Sequence, residues 1–161
     1  MFSVLLAETD ELVQSVIRLF LKELDSEVSV ISVSDGQQAA LAMATRHFDL
    51  AIVEARLPGA SGFEVAAFAT RRNLPVLLVS GHIEDQIKLE EFGFPYLSKP
   101  FGLKQLLAAM RRIRSVPEDH LRQMKTAAVR MQRPAEWSDL LLSGCNVMRN
   151  DNHQAEERAA A

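Results

Sequence analysis

Cysteine is almost missing from this chain. Cys145 stands alone among 161 residues, so an internal disulfide is excluded, and such cysteine usage fits a reducing compartment. A long apolar run is missing too: Gln14, Arg18 and Lys22 interrupt the longest candidate, whereas a membrane helix needs roughly 20 apolar residues. The strand-like stretch FSVLLA begins at Phe2 and leaves no room for a charged n-region, an apolar h-region and a cleavage site. Together these absences lead to the expectation of a cytoplasmic protein without a membrane segment. Glycine is sparse at seven residues, and none forms a phosphate-cradling loop after the first apolar run. The sequence there is AETDE, whose acids repel a phosphate unless a metal intervenes. Histidine offers no catalytic site: His82 has no second histidine nearby in sequence and no evident nucleophile to activate, so no catalytic role is assigned to it.

What is present is a regular alternation. Short apolar, β-branched runs occur at residues 3 to 7, 28 to 32, 50 to 54, 75 to 80 and 94 to 98 and predict five strands. Helical patterns lie between them. Leu12, Val16, Leu19, Phe20 and Leu24 recur at three- and four-residue spacing, DGQQAALAMATR follows with Asp35 as N-cap, and further helices are predicted over 62–72, 83–92 and 102–114. Strands that read as nearly continuous apolar runs belong to a parallel sheet covered by helices on both faces. The fold class is therefore α/β, a (βα)5 doubly wound parallel sheet with a C-terminal helical extension. Ligands of such sheets bind beyond the carboxyl ends of the strands, and those ends carry Glu8, Glu54, Ser80 and Lys99.

At this point VLLAETDE, DLAIVEARLPGASGFE, PVLLVSGH and YLSKPF, in this order and at successive strand ends, resemble the receiver domain of two-component response regulators. The resemblance covers residues 1 to 115. It implies an acidic pair holding Mg²⁺ after the first strand, a phosphoacceptor Asp after the third, a hydroxyl after the fourth and a Lys after the fifth. Carried over, the acidic pair falls on Glu8 and Thr9 with Asp10 adjacent, the acceptor on Glu54, the hydroxyl on Ser80, the switch aromatic on Tyr96, the basic residue on Lys99, and the cis peptide on Pro100.

Two of these positions depart from the pattern. Glu54 is one methylene longer than Asp, and a misplacement of roughly 1 Å costs on the order of a hundredfold in a reaction that depends on positioning. Thr9 offers Mg²⁺ a neutral hydroxyl in place of a carboxylate, although the ion demands near-octahedral oxygens at about 2.0–2.1 Å. Asp10 is expected to cap the first helix rather than repair the metal site. Charge counting suggests the substitute: Glu8 and Glu54 face Lys99, leaving an excess that an ammonium and hydrogen bonds from Ser80 and Thr9 can accommodate without metal. The reading is a stand-alone, atypical receiver, a pseudo-receiver that is not an enzyme and holds no cofactor. Its expected partner is a sensor histidine kinase or another receiver. The alternatives are a receiver still modulated by phosphotransfer through an unusual acceptor, a flavodoxin-like cofactor binder, and a DNA-binding regulator.

Residues 116–161 form a separate segment, read as a helical extension and frayed tail. Net charge is −5 over residues 1 to 110, +5 over 111 to 133 and −3 thereafter. Ser115 and Glu118 suggest a capping box, and Leu121, Met124, Ala128 and Met131 make an apolar stripe. No recognition motif or aromatic reader accompanies the basic residues, so DNA binding is not expected. The stripe is expected to pack on the acidic receiver body, either in cis or from a second subunit, with a homodimer as the favoured arrangement.

Overall fold

Each apolar run becomes a strand within two residues of its expected limits, because each is short, carries β-branched or aromatic residues and is bounded by turn residues. The computed structural model describes residues 1–114 together with 122, 124–126 and 128. In chain order the elements are β1 (Ser3–Ala7), α1 (Glu11–Leu24), β2 (Ser29–Val33), α2 (Gly36–Thr45), β3 (Leu50–Glu54), α3 (Gly62–Arg71), β4 (Val76–Ser80), α4 (Ile83–Phe92), β5 (Tyr96–Ser98) and α5 (Leu103–Arg114). The strands form one parallel sheet in the order β2-β1-β3-β4-β5. The chain winds from β1 out to β2 and then back past β1 to β3, so the reversal of winding falls between β1 and β3. Glu8 follows the first of these strands and Glu54 ends the second, which puts both carboxylates at the crevice where such sheets bind ligands.

The alternation of side chains along each strand divides the core into two layers. Val4, Leu6, Ile52 and Leu77 pack with Ile17 and Leu21 of α1 and Leu106 of α5. Leu5, Ala7, Val53 and Leu78 pack with Ala39 and Met43 of α2, Phe68 of α3 and Leu89 of α4. Burying one such aliphatic or aromatic side chain is worth about 1.5–3 kcal/mol, so these layers hold the strand ends in fixed register.

One detail differs from the sequence reading, and a second decides between alternatives that it left open. The spacing of Leu12, Val16 and Leu19 is not the buried face of α1: Leu12 is 79% and Leu19 63% exposed, whereas Ile17 and Leu21 are buried. The Asp10 carboxylate accepts from the backbone N–H groups of Leu12 and Val13 and fixes where the helix begins. That phase turns Val13, Ile17 and Leu21 toward the sheet. The second detail concerns the extension. Met124 and Ala128 are helical and buried, Met124 joins the cluster around Phe68 and Leu89, and the Arg71 guanidinium donates to the Ala128 carbonyl at 2.5 Å. Met124 thus has its surface in the same chain and needs none from a partner. Leu121, Met131 and the Ser115–Glu118 capping box lie outside the described residues.

Candidate functional site

Three charged side chains meet at the crevice. Glu8 is 2% and Glu54 7% exposed. Glu8 Oε2 accepts from Lys99 Nζ at 2.5 Å while its Oε1 accepts from the backbone N–H of Asp10 at 3.0 Å. Glu54 Oε2 takes a second proton of the same ammonium in a close ion pair, and its Oε1 lies 3.5 Å from the Arg56 backbone nitrogen. The sequence builds this locally. β3 delivers Glu54 at its end, and the loop RLPGASG folds straight back over it with Gly59 at φ 76°. Gly62 packs so closely that an added Cβ would collide with the Glu54 carbonyl and the Ala55 Cα, so glycine alone fits there. Lys99 follows β5, its backbone N–H donates to the Ser80 carbonyl at 2.8 Å, and the Lys99–Pro100 peptide is cis.

Two buried carboxylates on one ammonium leave an excess negative charge, and the protonation equilibria show it. Burial raises the Glu54 pKa above its ordinary 4.5; Lys99 opposes this by hydrogen bond and charge, and Glu8 adds to the rise. For Lys99, burial acts to lower the value, but hydrogen bonds and charge from Glu54 and Glu8 outweigh it and lift the pKa above 10.5. The lysine is thus fully charged at neutral pH.

A second polar network stands beside the first. Ser80 is fully buried, and its hydroxyl donates to Asp85 Oδ2 at 2.7 Å while accepting from the His82 backbone N–H at 3.1 Å. Asp85 also accepts from Arg56 Nε at 3.0 Å, and the same guanidinium donates to Glu84 at 3.1 Å. Along α4, Gln86 donates to Ser98 Oγ at 2.9 Å and the Tyr96 hydroxyl donates to Glu90 at 3.1 Å. A cavity of about 830 Å³ runs between α4, β5 and α5, lined by Leu89, Tyr96, Pro100, Gln105 and Arg112. It includes neither Glu8, Glu54 nor Lys99, so the charged crevice and the groove are separate features.

A model of the response regulator receiver domain matches residues 4–111. The chain belongs to this family. It is 36% identical over 90 residues to the transcriptional regulatory protein TcrA of Mycobacterium tuberculosis, covering 53% of this chain and 36% of that protein. It is 35% identical over 115 residues to the response regulator protein PmrA of Pseudomonas aeruginosa, covering 68% of this chain and 51% of that protein. The matched part therefore spans about a third to a half of these relatives. Among solved structures, the receiver domain of the sensor histidine kinase PA1611 from Pseudomonas aeruginosa is 26% identical with a TM-score of 0.61, over 70% of this chain and 97% of that one. That receiver holds a magnesium ion in its active site cleft. The chemotaxis response regulator CheY4 of Vibrio cholerae is 25% identical with a TM-score of 0.60, over 70% and 98% of the two chains.

In this receiver the residues singled out in the sequence do not all converge. Glu8, Glu54 and Lys99 meet. Thr9 and Asp10 are exposed, and the Asp10 carboxylate is engaged as the α1 cap, away from the crevice. Ser80 does not join Glu54, against the expectation from the sequence, because its hydroxyl donates its hydrogen bond to Asp85. Tyr96 is half-buried with its hydroxyl on Glu90; burial, then Glu90, raises its pKa above 10.0. Arg56 and Asp85 went unnoticed in the sequence. Their only signals are an Arg two residues beyond the strand-end acid and two acids, Glu84 and Asp85, in the first turn of α4.

Proposed function

We propose that this two-component receiver is a pseudo-receiver, in which Lys99 serves as a fixed internal counter-ion to Glu54 and the protein signals by contacts with other proteins without aspartyl phosphorylation. The observation that carries the reading is the Lys99 ammonium held between Glu8 and Glu54. A lysine already neutralised by two internal carboxylates is a poor partner for an incoming phosphoryl group. The longer Glu54 side chain also places its oxygens off the line that phosphoryl transfer requires.

The residues present do not fit Mg²⁺. The ion takes hard, mostly anionic oxygens in near-octahedral array. Here Glu8 and Glu54 each direct one oxygen to Lys99, Thr9 is neutral and exposed, and Asp10 is spent on the helix. Among the described residues no group of three or more His, Cys, Asp or Glu is placed to hold a metal. The proposal includes no metal-dependent step, which the neutral Thr9 and the helix-bound Asp10 support, and no enzymatic activity.

Receivers of this family work with sensor histidine kinases, and we take such a kinase or another receiver as the partner. Exposed Leu12 and Leu19 on α1 and Ile83 and Ile87 on α4 support recognition by apolar contact. The proposal also includes a homodimer, in the cytoplasm; among the described residues no helix is long and apolar enough to cross a membrane. Static light scattering on the full chain tests the dimer, and a monomer across the accessible concentration range contradicts it. The experiment for the central reading is the intact mass after incubation with a small-molecule phosphodonor and Mg²⁺, for which an unchanged mass is expected.

A further inference from the structure

A serine hydroxyl has one proton, and a buried one serves one acceptor at a time. In this receiver the proton of Ser80 goes to Asp85, a residue outside the Glu8–Lys99–Glu54 cluster. Asp85 is 4% exposed, and a carboxylate that deep is costly unless it is paired and hydrogen-bonded. It is paired thoroughly. Ser80 Oγ lies at 2.7 Å, Arg56 Nε reaches its two oxygens at 3.0 and 3.4 Å, and the positive end of α4 faces it from its place in the first turn. The other titratable groups around it are Glu84, which shares the Arg56 guanidinium, and His82, the N-cap residue.

These contacts join three separate elements. Arg56 belongs to the loop after β3, Asp85 to the first turn of α4, and Ser80 ends β4. The chain of bonds approaches the Glu54 carboxylate only through the Arg56 backbone N–H, at 3.5 Å. A well-packed apolar residue would fill the Asp85 site with less desolvation cost, so the network is better explained by what it positions than by the stability it adds.

We propose that Asp85, held by Arg56, is the positioning residue of this receiver: it keeps the Ser80 hydroxyl away from Glu54 and pins α4 to the β3–α3 loop, so that α4 answers to this latch and not to the charge on Glu54. The inference does not depend on whether Glu54 accepts a phosphoryl group, and the mass measurement above leaves it standing or falling on its own test.

That test is amide hydrogen exchange on the full chain, comparing Ile83–Phe92 with the β1 amides. Arg56→Met and Asp85→Asn should each speed exchange in α4 by about tenfold or more while β1 changes by less than about threefold. Glu54→Gln, which is expected to stabilise the chain as a whole at neutral pH, should speed exchange in neither segment by more than about threefold. In the Asp85→Asn background, Arg56→Met should add less than about threefold, since the two act through one carboxylate. A purely structural role would move β1 and α4 together. The proposal is overturned if Glu54→Gln loosens α4 as much as Arg56→Met does, if β1 and α4 loosen equally, or if Arg56→Met leaves α4 unchanged. Should Asp85→Asn fail to fold, the half-exposed Arg56 and the Glu54→Gln control decide the question alone.

Discussion

Replacing Lys99 by Met keeps most of the aliphatic stem and deletes the ammonium. Two carboxylates then remain buried, Glu8 at 2% and Glu54 at 7% exposure, with no cation between them. Removing one partner of a buried pair costs about 3–5 kcal/mol. The Lys99 side chain is 22% exposed, so water relieves part of the loss and the lower end, about 3 kcal/mol, applies. With a urea m-value of about 1.5 kcal/mol/M, the unfolding midpoint should fall by about 2 M. The assay is urea unfolding at neutral pH, followed by circular dichroism. Adding Glu54→Gln to Lys99→Met removes one stranded charge and should recover a substantial part of the loss. A midpoint for Lys99→Met within about 0.3 M of the parent, or no recovery in the double variant, would refute the internal counter-ion.

The same electrostatics give a signed pH effect. Because burial raises the Glu54 pKa in the folded state, its contribution to stability is full below 4.5 and is lost as pH rises through the raised value. Glu54→Gln should therefore be more stable than the parent at neutral pH, with the advantage vanishing in acid; a less stable variant at neutral pH contradicts this. Tyr96 is the sole tyrosine, so its ionisation is readable by ultraviolet absorbance: Glu90→Gln should lower its pKa toward 10.0, and an unchanged titration curve would mean that the hydrogen bond to Glu90 is absent in solution. Met124→Ala should cost about 2–3 kcal/mol in urea unfolding if the extension packs on its own receiver, whereas a negligible change would put Met124 in solvent.

The strand-end residues were legible because a parallel sheet places its functional groups at a position that apolar runs reveal. Lys99 opposite Glu8 and Glu54 was implied by the receiver resemblance, charge counting suggested that its ammonium could stand in for a metal there, and the structure brings the three side chains together. The Ser80 contact to the Glu54 cluster expected from the sequence is not made for a plain reason: the acceptor of its hydroxyl hydrogen bond sits in the next helix, where an Asp reads equally well as a first-turn acid favoured by the helix dipole. Arg56 and Asp85 lie 29 residues apart, and nothing in the sequence sets the register of the β3–α3 loop against α4. The face of α1 was hidden for a similar reason. Two apolar stripes run along that helix, and only its start, fixed by the Asp10 cap, decides which one meets the sheet.

The most direct test of the account is the intact mass of the full chain after incubation with a small-molecule phosphodonor and Mg²⁺, alongside a variant carrying both Glu54→Asp and Thr9→Asp. The account predicts no added mass for the parent chain, because Lys99 is held by Glu8 and Glu54 and Glu54 is one methylene longer than Asp. A stoichiometric gain of one phosphoryl group on the parent chain would contradict it.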